Sequence, residues 1–230
     1  MFHKKAIFAA ALIVFLSVSG LPADTASFVD LGFSPDGKTY MFAQYGVETK
    51  TLKAWADLFV VDVTRNNFVN DGKLSFVNNS PVVFGQDGSG ALYRLIAQNA
   101  SLAERYRIDH CFQGQLLYVS LDPPAKSAPI EFRDFETGSA YRAVLVSSVE
   151  GSGTTLKSSF YINVERTAQD GSKKTYTIGT PQLKRSLVAS YCIHKVIVAP
   201  NDGSVIFVIE MRKLEGDSTN VRFMVEALRL

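Results

Sequence analysis

Histidine and cysteine, the side chains most used for nucleophilic and metal chemistry, are nearly absent from this sequence. The 230 residues include two cysteines and three histidines, and His3 lies in the extreme N-terminal stretch. No G-x-S-x-G elbow, H-E-x-x-H, C-x-x-C, Walker loop or D-x-D-x-D-G calcium loop occurs. The glycine-rich "GSGTTL" starting at Gly151 lacks a basic residue in a phosphate-binding position and reads as a hairpin tip. Charge of one sign is lacking too. The formal net charge is +2, with Lys and Arg scattered along the chain. There is no basic excess to release counterions from a nucleic acid, so nucleic acid is not an expected partner. Beyond Leu16 no apolar run is long and uncharged enough to span a bilayer, which takes about 20 residues. Nothing implies a cofactor.

What is present begins with a transport label. "MFHKK" is a short basic start, "AIFAAALIVFL" (Ala6 to Leu16) an apolar core, and "SVSGLPADTA" a small-residue exit. This is the three-part pattern of a secretory signal peptide. Residues 1–26 are read as the leader and 27–230 as one mainly-β domain, with the exported form beginning between Leu21 and Ser27. The expected location is periplasmic or secreted, without a membrane span in the mature form. An uncleaved anchor is the alternative, and the short apolar core speaks against it. Lys4 and Lys5 leave with the leader, so the exported chain is close to neutral. About 205 residues remain, enough for one large β domain or two small ones. With 47% apolar residues and 16 Phe, a sizeable core can form.

Asp-Gly occurs five times, at Asp36, Asp71, Asp87, Asp170 and Asp202, several times between apolar or alternating runs. Gly supplies, and Asp tolerates, the positive φ of tight hairpin turns, so this is the grammar of antiparallel strands. "ADLFVVDV" (Ala56 to Val63) is almost wholly apolar and reads as a strand buried on both faces. In "VRFMVEALRL", Val221, Phe223, Val225 and Ala227 share one face. Between Gly88 and Asp109 the rhythm changes to about 3.6 residues, through Leu92, Leu95, Ile96, Leu102, Ala103 and Tyr106, which predicts one amphipathic helix near 89–107. Ser89 is placed to cap its start, and Asn99 interrupts its apolar face.

"SPDGKTYMF" from Ser34 is echoed by "APNDGSVIF" from Ala199, and "DLFVVDV" from Asp57 by "VRFMVEA" from Val221. In that alignment Phe59 answers Phe223, Val61 answers Val225 and Asp62 answers Glu226. Each end thus carries a strand–turn–strand–loop–strand unit, and the middle shows no third copy. The unit resembles the "SPDG" blade phrase of TolB-type and WD-repeat-like β-propellers, although the chain is short for four blades of about 40 residues. Over its mature length the chain resembles a family of predicted secreted bacterial proteins of unknown function. The resemblance rests on "LGFSPDGKTYMFAQYG", "FRDFETGSAYR" (Phe132 to Arg142) and "VIVAPNDGSVIFVIEMRKLEGDSTNVRFMVEALRL". The expected fold is mainly β (α+β): antiparallel meanders forming a sandwich- or partial-propeller-like domain with one helix.

The cysteine pair, Cys111 and Cys192, invites a disulfide in an oxidising compartment, closing a loop of about 80 residues worth roughly 4 kcal/mol in the entropy model. Two buried free thiols are the equal alternative. "DHC" (Asp109, His110, Cys111) and "CIH" (Cys192, Ile193, His194) together offer a Cys₂His₂ zinc set or a Cys–His nucleophile pair. Against a metal, His110 and Cys111 are adjacent and point to opposite sides of an extended segment, so none is expected. Trp55, in "GVETKTLKAWAD" between two strands, reads as a recognition aromatic or, more simply, as a lid on the core. Asp57, Asp62, Glu210 and Glu226 raise a carboxylate-pair hydrolase. Three functional readings follow, led by a non-enzymatic exported scaffold binding another protein or an envelope component. The others are a hydrolase acting on an envelope polymer and a structural subunit of an exported assembly.

Overall fold

The computed structural model describes residues 24–121, 128–201, 203–216 and 218–230. Three antiparallel meanders are stacked in layers. A front sheet follows chain order through β2 (Ser27–Phe33), β3 (Thr39–Val47), β4 (Lys53–Asp62) and β5 (Asn67–Pro81), after the short β1 (Asp24–Thr25). Two helices follow, α1 (Ser89–Gln98) and α2 (Ala100–Arg105), then β6 (Gln115–Val119). A back sheet contains β7 (Ile130–Asp134), β8 (Ser139–Glu150), β9 (Lys157–Thr167) and β10 (Lys173–Ile178), with β11 (Arg185–Ser186) also on β9. The chain ends with β12 (Val188–Val198), β13 (Val205–Glu215) and β14 (Ser218–Leu228), which build a central sheet in the order β1-β14-β13-β12-β6.

The central sheet is buried on both faces, and the sequence of β13 shows why. Val205, Phe207 and Ile209 enter the core shared with the back sheet, while Ile206 and Val208 enter the core shared with the front sheet. All five are fully buried, so the run is apolar without alternation. β4 has the same character, as expected: Val61, and Val63 just past its end, face the central sheet, and Leu58 and Val60 face α1. Ala43, Ala54 and Ala56 keep the outer surface of the front sheet low, so that Ala91, Leu92 and Leu95 of α1 can settle on it.

The two echoed phrases are structurally equivalent. Tyr40 and Phe42 of one meander, and Ile206 and Val208 of the other, all point into one shared core. Val61 answers Val225 and Val63 answers Ala227 in that same core, with Phe59 packed against it opposite Phe223. The turns match as well: Ser34 N–H donates to Thr39 O at 2.9 Å and Ala199 N–H to Ser204 O at 2.7 Å. Gly37 and Gly203 carry φ of 68° and 70°, which glycine adopts without a Cβ clash. Asn201 Nδ2 donates to Pro35 O at 3.0 Å, so the turns meet at one rim. The units lie face to face as layers of a sandwich, each completing the other's core. Of the two architectures expected, the sandwich is the one formed.

The outer edge of β14 is closed by a patchwork. β1 covers Asn220 and Val221 as a parallel strand. Further along, Gln44 Oε1 accepts the Phe223 N–H at 2.7 Å, and Asn66 Oδ1 accepts the Ala227 N–H at 2.7 Å. Two side-chain amides of the front sheet thus stand in for a neighbouring strand and remove an open edge.

The helical segment divides in two. Asn99 leaves the helical region at φ −126°, and its Nδ2 donates to Leu95 O at 2.8 Å, competing with the backbone ladder. The helix start also differs from expectation. Ser89 does not cap α1; its N–H and hydroxyl both bond Asp87 Oδ1. "GSGTTL" does form the hairpin tip between β8 and β9, with a 3₁₀ turn over Gly153–Thr155.

Candidate functional site

The front sheet does not cover the whole central sheet. Past Val208, β13 continues its front-facing positions with Glu210 and Arg212, while Lys195, Cys192 and Ser190 stand opposite Val208, Glu210 and Arg212 on β12. A register shift between Ile193 and Lys195 inserts His194 as an extra residue there, the two-against-one pairing of a β-bulge. Phe223 and Val221 of β14 pair with Glu210 and Arg212. The β1–β2 junction, Thr25 to Phe28, walls the result into a cleft of about 760 Å³, within the usual range for ligand sites.

Phe28 and Phe223 meet edge to face at 5.7 Å, and the His194 ring lies 5.0 Å from Phe223. Arg212 Nε donates to Glu210 Oε1 at 3.1 Å, and Lys195 Nζ sits 5.6 Å from the Phe28 ring centre. Burial, assisted by the Lys195 charge and opposed by Glu210, lowers the His194 pKa below its usual 6.5, so the imidazole is neutral at pH 7. Burial and the Glu210 carboxylate push the neighbouring Cys192 thiol up to about 11. A thiol so far from ionising is a poor nucleophile. The cleft therefore offers an aromatic platform, the Arg212–Glu210 ion pair, the Lys195 cation, and hydroxyls from Ser190, Ser218 and Thr219. Those groups suit non-covalent recognition of a ligand with an acidic group beside an apolar one.

The expected cysteine site is not assembled. Both cysteines are free, Cys111 exposed and Cys192 partly buried. Cys111 lies four residues ahead of Gln115, which pairs with Val198 at the end of β12, whereas Cys192 lies six residues before Val198 on that strand. Six residues of strand span about 20 Å, against a Cα limit of about 7 Å for a disulfide. The disulfide is thus corrected to two free thiols, and the four-ligand set His110, Cys111, Cys192 and His194 is divided between two places. His110 instead places Nδ1 2.7 Å from Leu31 O, bracing the loop after α2. Trp55 is in β4 rather than a loop, 8% exposed, with Nε1 donating to Asp24 Oδ2 at 2.8 Å. It is a lid on the core.

The carboxylates are also separate. Asp57 accepts from Gln44 and Ser75, and Asp62 accepts the Arg65 N–H of its turn. Glu226, 6% exposed, bonds Asn66 and lies 3.8 Å from Arg185. Glu226 and Glu210 lie on opposite faces of the central sheet. Lys195, Arg212 and Phe28 were not singled out from sequence, and Phe223 was read only as an apolar-face residue. A signal was there: Glu210 and Arg212 interrupt the apolar run of β13 on one face, in register with Cys192 and Ser190.

These features define a layered β sandwich with a mixed-charge cleft and without a gathered set of catalytic side chains among the described residues. Residues 41–229 match a family described as "Predicted secreted protein (DUF2259)". The chain belongs to that family of predicted secreted proteins. No curated protein and no solved structure matches it. Among the described residues no helix is long and apolar enough to cross a membrane.

Proposed function

We propose that the protein is an exported, non-enzymatic β scaffold that binds another protein or a cell-envelope component in the cleft between its front and central sheets. The observation that carries this reading is the meeting of Lys195, Arg212, Glu210 and His194 over the Phe28–Phe223 platform. Paired cations and an aromatic floor suit an extended acidic segment of a partner, and a few polar groups in an apolar recess fix its orientation. The hydrolase reading has less support, because each carboxylate considered for it is engaged in a separate contact. A structural-subunit reading shares the scaffold and differs only in what the cleft holds.

The test is in-cell crosslinking followed by purification of the wild-type protein and of the Lys195→Glu/Arg212→Glu double variant. Both substitutions are on the cleft surface, so the variant is expected to keep its unfolding midpoint while losing the crosslinked species recovered with wild type. The same crosslinked species recovered from both proteins would overturn the assignment to this cleft.

A further inference from the structure

Asp24, where the described fold begins, is a deeply buried charge. Its side chain is 5% exposed, and Oδ2 accepts from Arg222 Nη2 at 2.7 Å and from Trp55 Nε1 at 2.8 Å. The Arg222 guanidinium lies 4.1 Å from the centre of the Trp55 ring, completing an ion–aromatic stack. Asp24 also pairs with Asn220 in the β1–β14 ladder, and Ala26 N–H donates to Val221 O at 3.1 Å. Gly46 leaves room for the arrangement: a Cβ there would stand 2.9 Å from both Asp24 Oδ1 and Trp55 Cζ2. A chain beginning at Ser27 would lose this carboxylate and leave Arg222 over an indole with no anion.

The cluster is one group short. Asp24 Oδ1 is buried and has no hydrogen-bond partner among the described residues. Burial raises the Asp24 pKa despite Arg222, and the Glu215 charge raises it further, so Arg222 does not fully compensate the carboxylate. An acceptor without a donor and a deficit of positive charge meet at one atom. The backbone nitrogen of Asp24 belongs to the same residue, three bonds from the carboxyl carbon that bears that oxygen.

We infer that export severs the Ala23–Asp24 bond and that the α-ammonium group created on Asp24 is the missing partner of Oδ1. The step is hydrolysis by the leader peptidase of the export machinery. Water adds across the amide, its oxygen completing the Ala23 carboxyl group and its hydrogens going to the Asp24 nitrogen, which is protonated at neutral pH. Ala23 supplies the small residue directly before the cut. A cut after Ala26 deletes Asp24, and a cut after Gly20 leaves a single amide N–H where the cluster takes a cation. The inference rests on residues 1–23 being a leader.

N-terminal sequencing and intact mass of the exported protein test the bond. A start at Asp24 is expected. A start at Leu21 or Ser27 overturns this inference and leaves export standing, while a retained Met1 overturns both. The ammonium has its own test, in the chain beginning at Asp24 and the same chain with Ala23 kept in front, each released from a fusion by a protease. An amine whose pKa is raised by folding stabilises the fold below its unfolded value, about 8, and loses that effect as pH rises through the folded value. The Asp24-initiated protein should therefore unfold at a higher midpoint at about pH 6, with the difference closing above about pH 9. Asp24→Asn should abolish the difference. Equal midpoints at both pH values, or a difference that survives Asp24→Asn, would overturn the role given to the ammonium.

Discussion

Gln44 is the most economical place to test how the front and central sheets are joined. It is 4% exposed, its Oε1 accepts the Phe223 N–H at 2.7 Å, and its Nε2 donates to Asp57 Oδ2 at 3.1 Å. Gln44→Met keeps the length and volume of the side chain and removes both polar contacts. Asp57 retains its hydrogen bond from Ser75, so the main loss falls on the Phe223 N–H, which is left buried without an acceptor. Orphaning such a group costs about 1–3 kcal/mol, against a net of about 1 for an ordinary hydrogen bond. For a domain of this size each kcal/mol lowers the midpoint by about 2–4 °C, so a loss of about 2–12 °C is expected. Urea unfolding should show the midpoint falling with an unchanged slope. Amide exchange should show Phe223 losing protection ahead of Val208 in the middle of the sheet. Gln44→Glu is the informative control. It keeps the acceptor for Phe223 but sets a second carboxylate beside Asp57, so its destabilisation should shrink on acidification. A Gln44→Met protein that unfolds within about 1 °C of wild type would refute the account of β14 as an edge closed by side-chain amides.

The thiols should behave very differently, since Cys111 is exposed and burial holds the Cys192 pKa at about 11. At pH 8 a thiol-reactive dye should label one site rapidly, that site vanishing in Cys111→Ser, and the second only on unfolding; two rapid equivalents or none would contradict this. Burial also raises Glu226 above its ordinary 4.5 against the Asn66 hydrogen bond and the Arg185 charge. Its contribution is complete below the unfolded value and lost as pH rises through the folded one. Stability of wild type relative to Glu226→Gln, from urea unfolding at a series of pH values, should therefore fall as pH rises above the ordinary value of 4.5. A flat difference would remove Glu226 from the pH response.

Much of the fold was legible because its signals are local. The Asp-Gly turns, the apolar run in β4 and the break in rhythm at Gly88 each depend on a few adjacent residues. The echo between Ser34 and Ala199 was also readable, down to the faces of Tyr40, Phe42, Ile206 and Val208, because side-chain direction alternates along a strand whatever the strand packs against. Even the division of the helix at Asn99 had a local sign, a polar residue on the apolar stripe.

What the sequence by itself determined is thus the strands, their turns, the repeated unit and the features of an export leader. Only the tertiary structure decided that the two units stack face to face, that both sides of β13 are interior, and that Cys111 sits off the Val198 end of β12, away from Cys192. The cleft belongs to the second group. His194, Lys195, Glu210 and Arg212 are brought together with Phe28, more than 160 residues earlier, by the pairing of β12 with β13 and by where the front sheet stops. Local propensity constrains φ, ψ and side-chain direction within a strand. The choice of neighbouring strand and facing layer is made by the complementary shapes of whole apolar faces, which no short stretch of sequence contains.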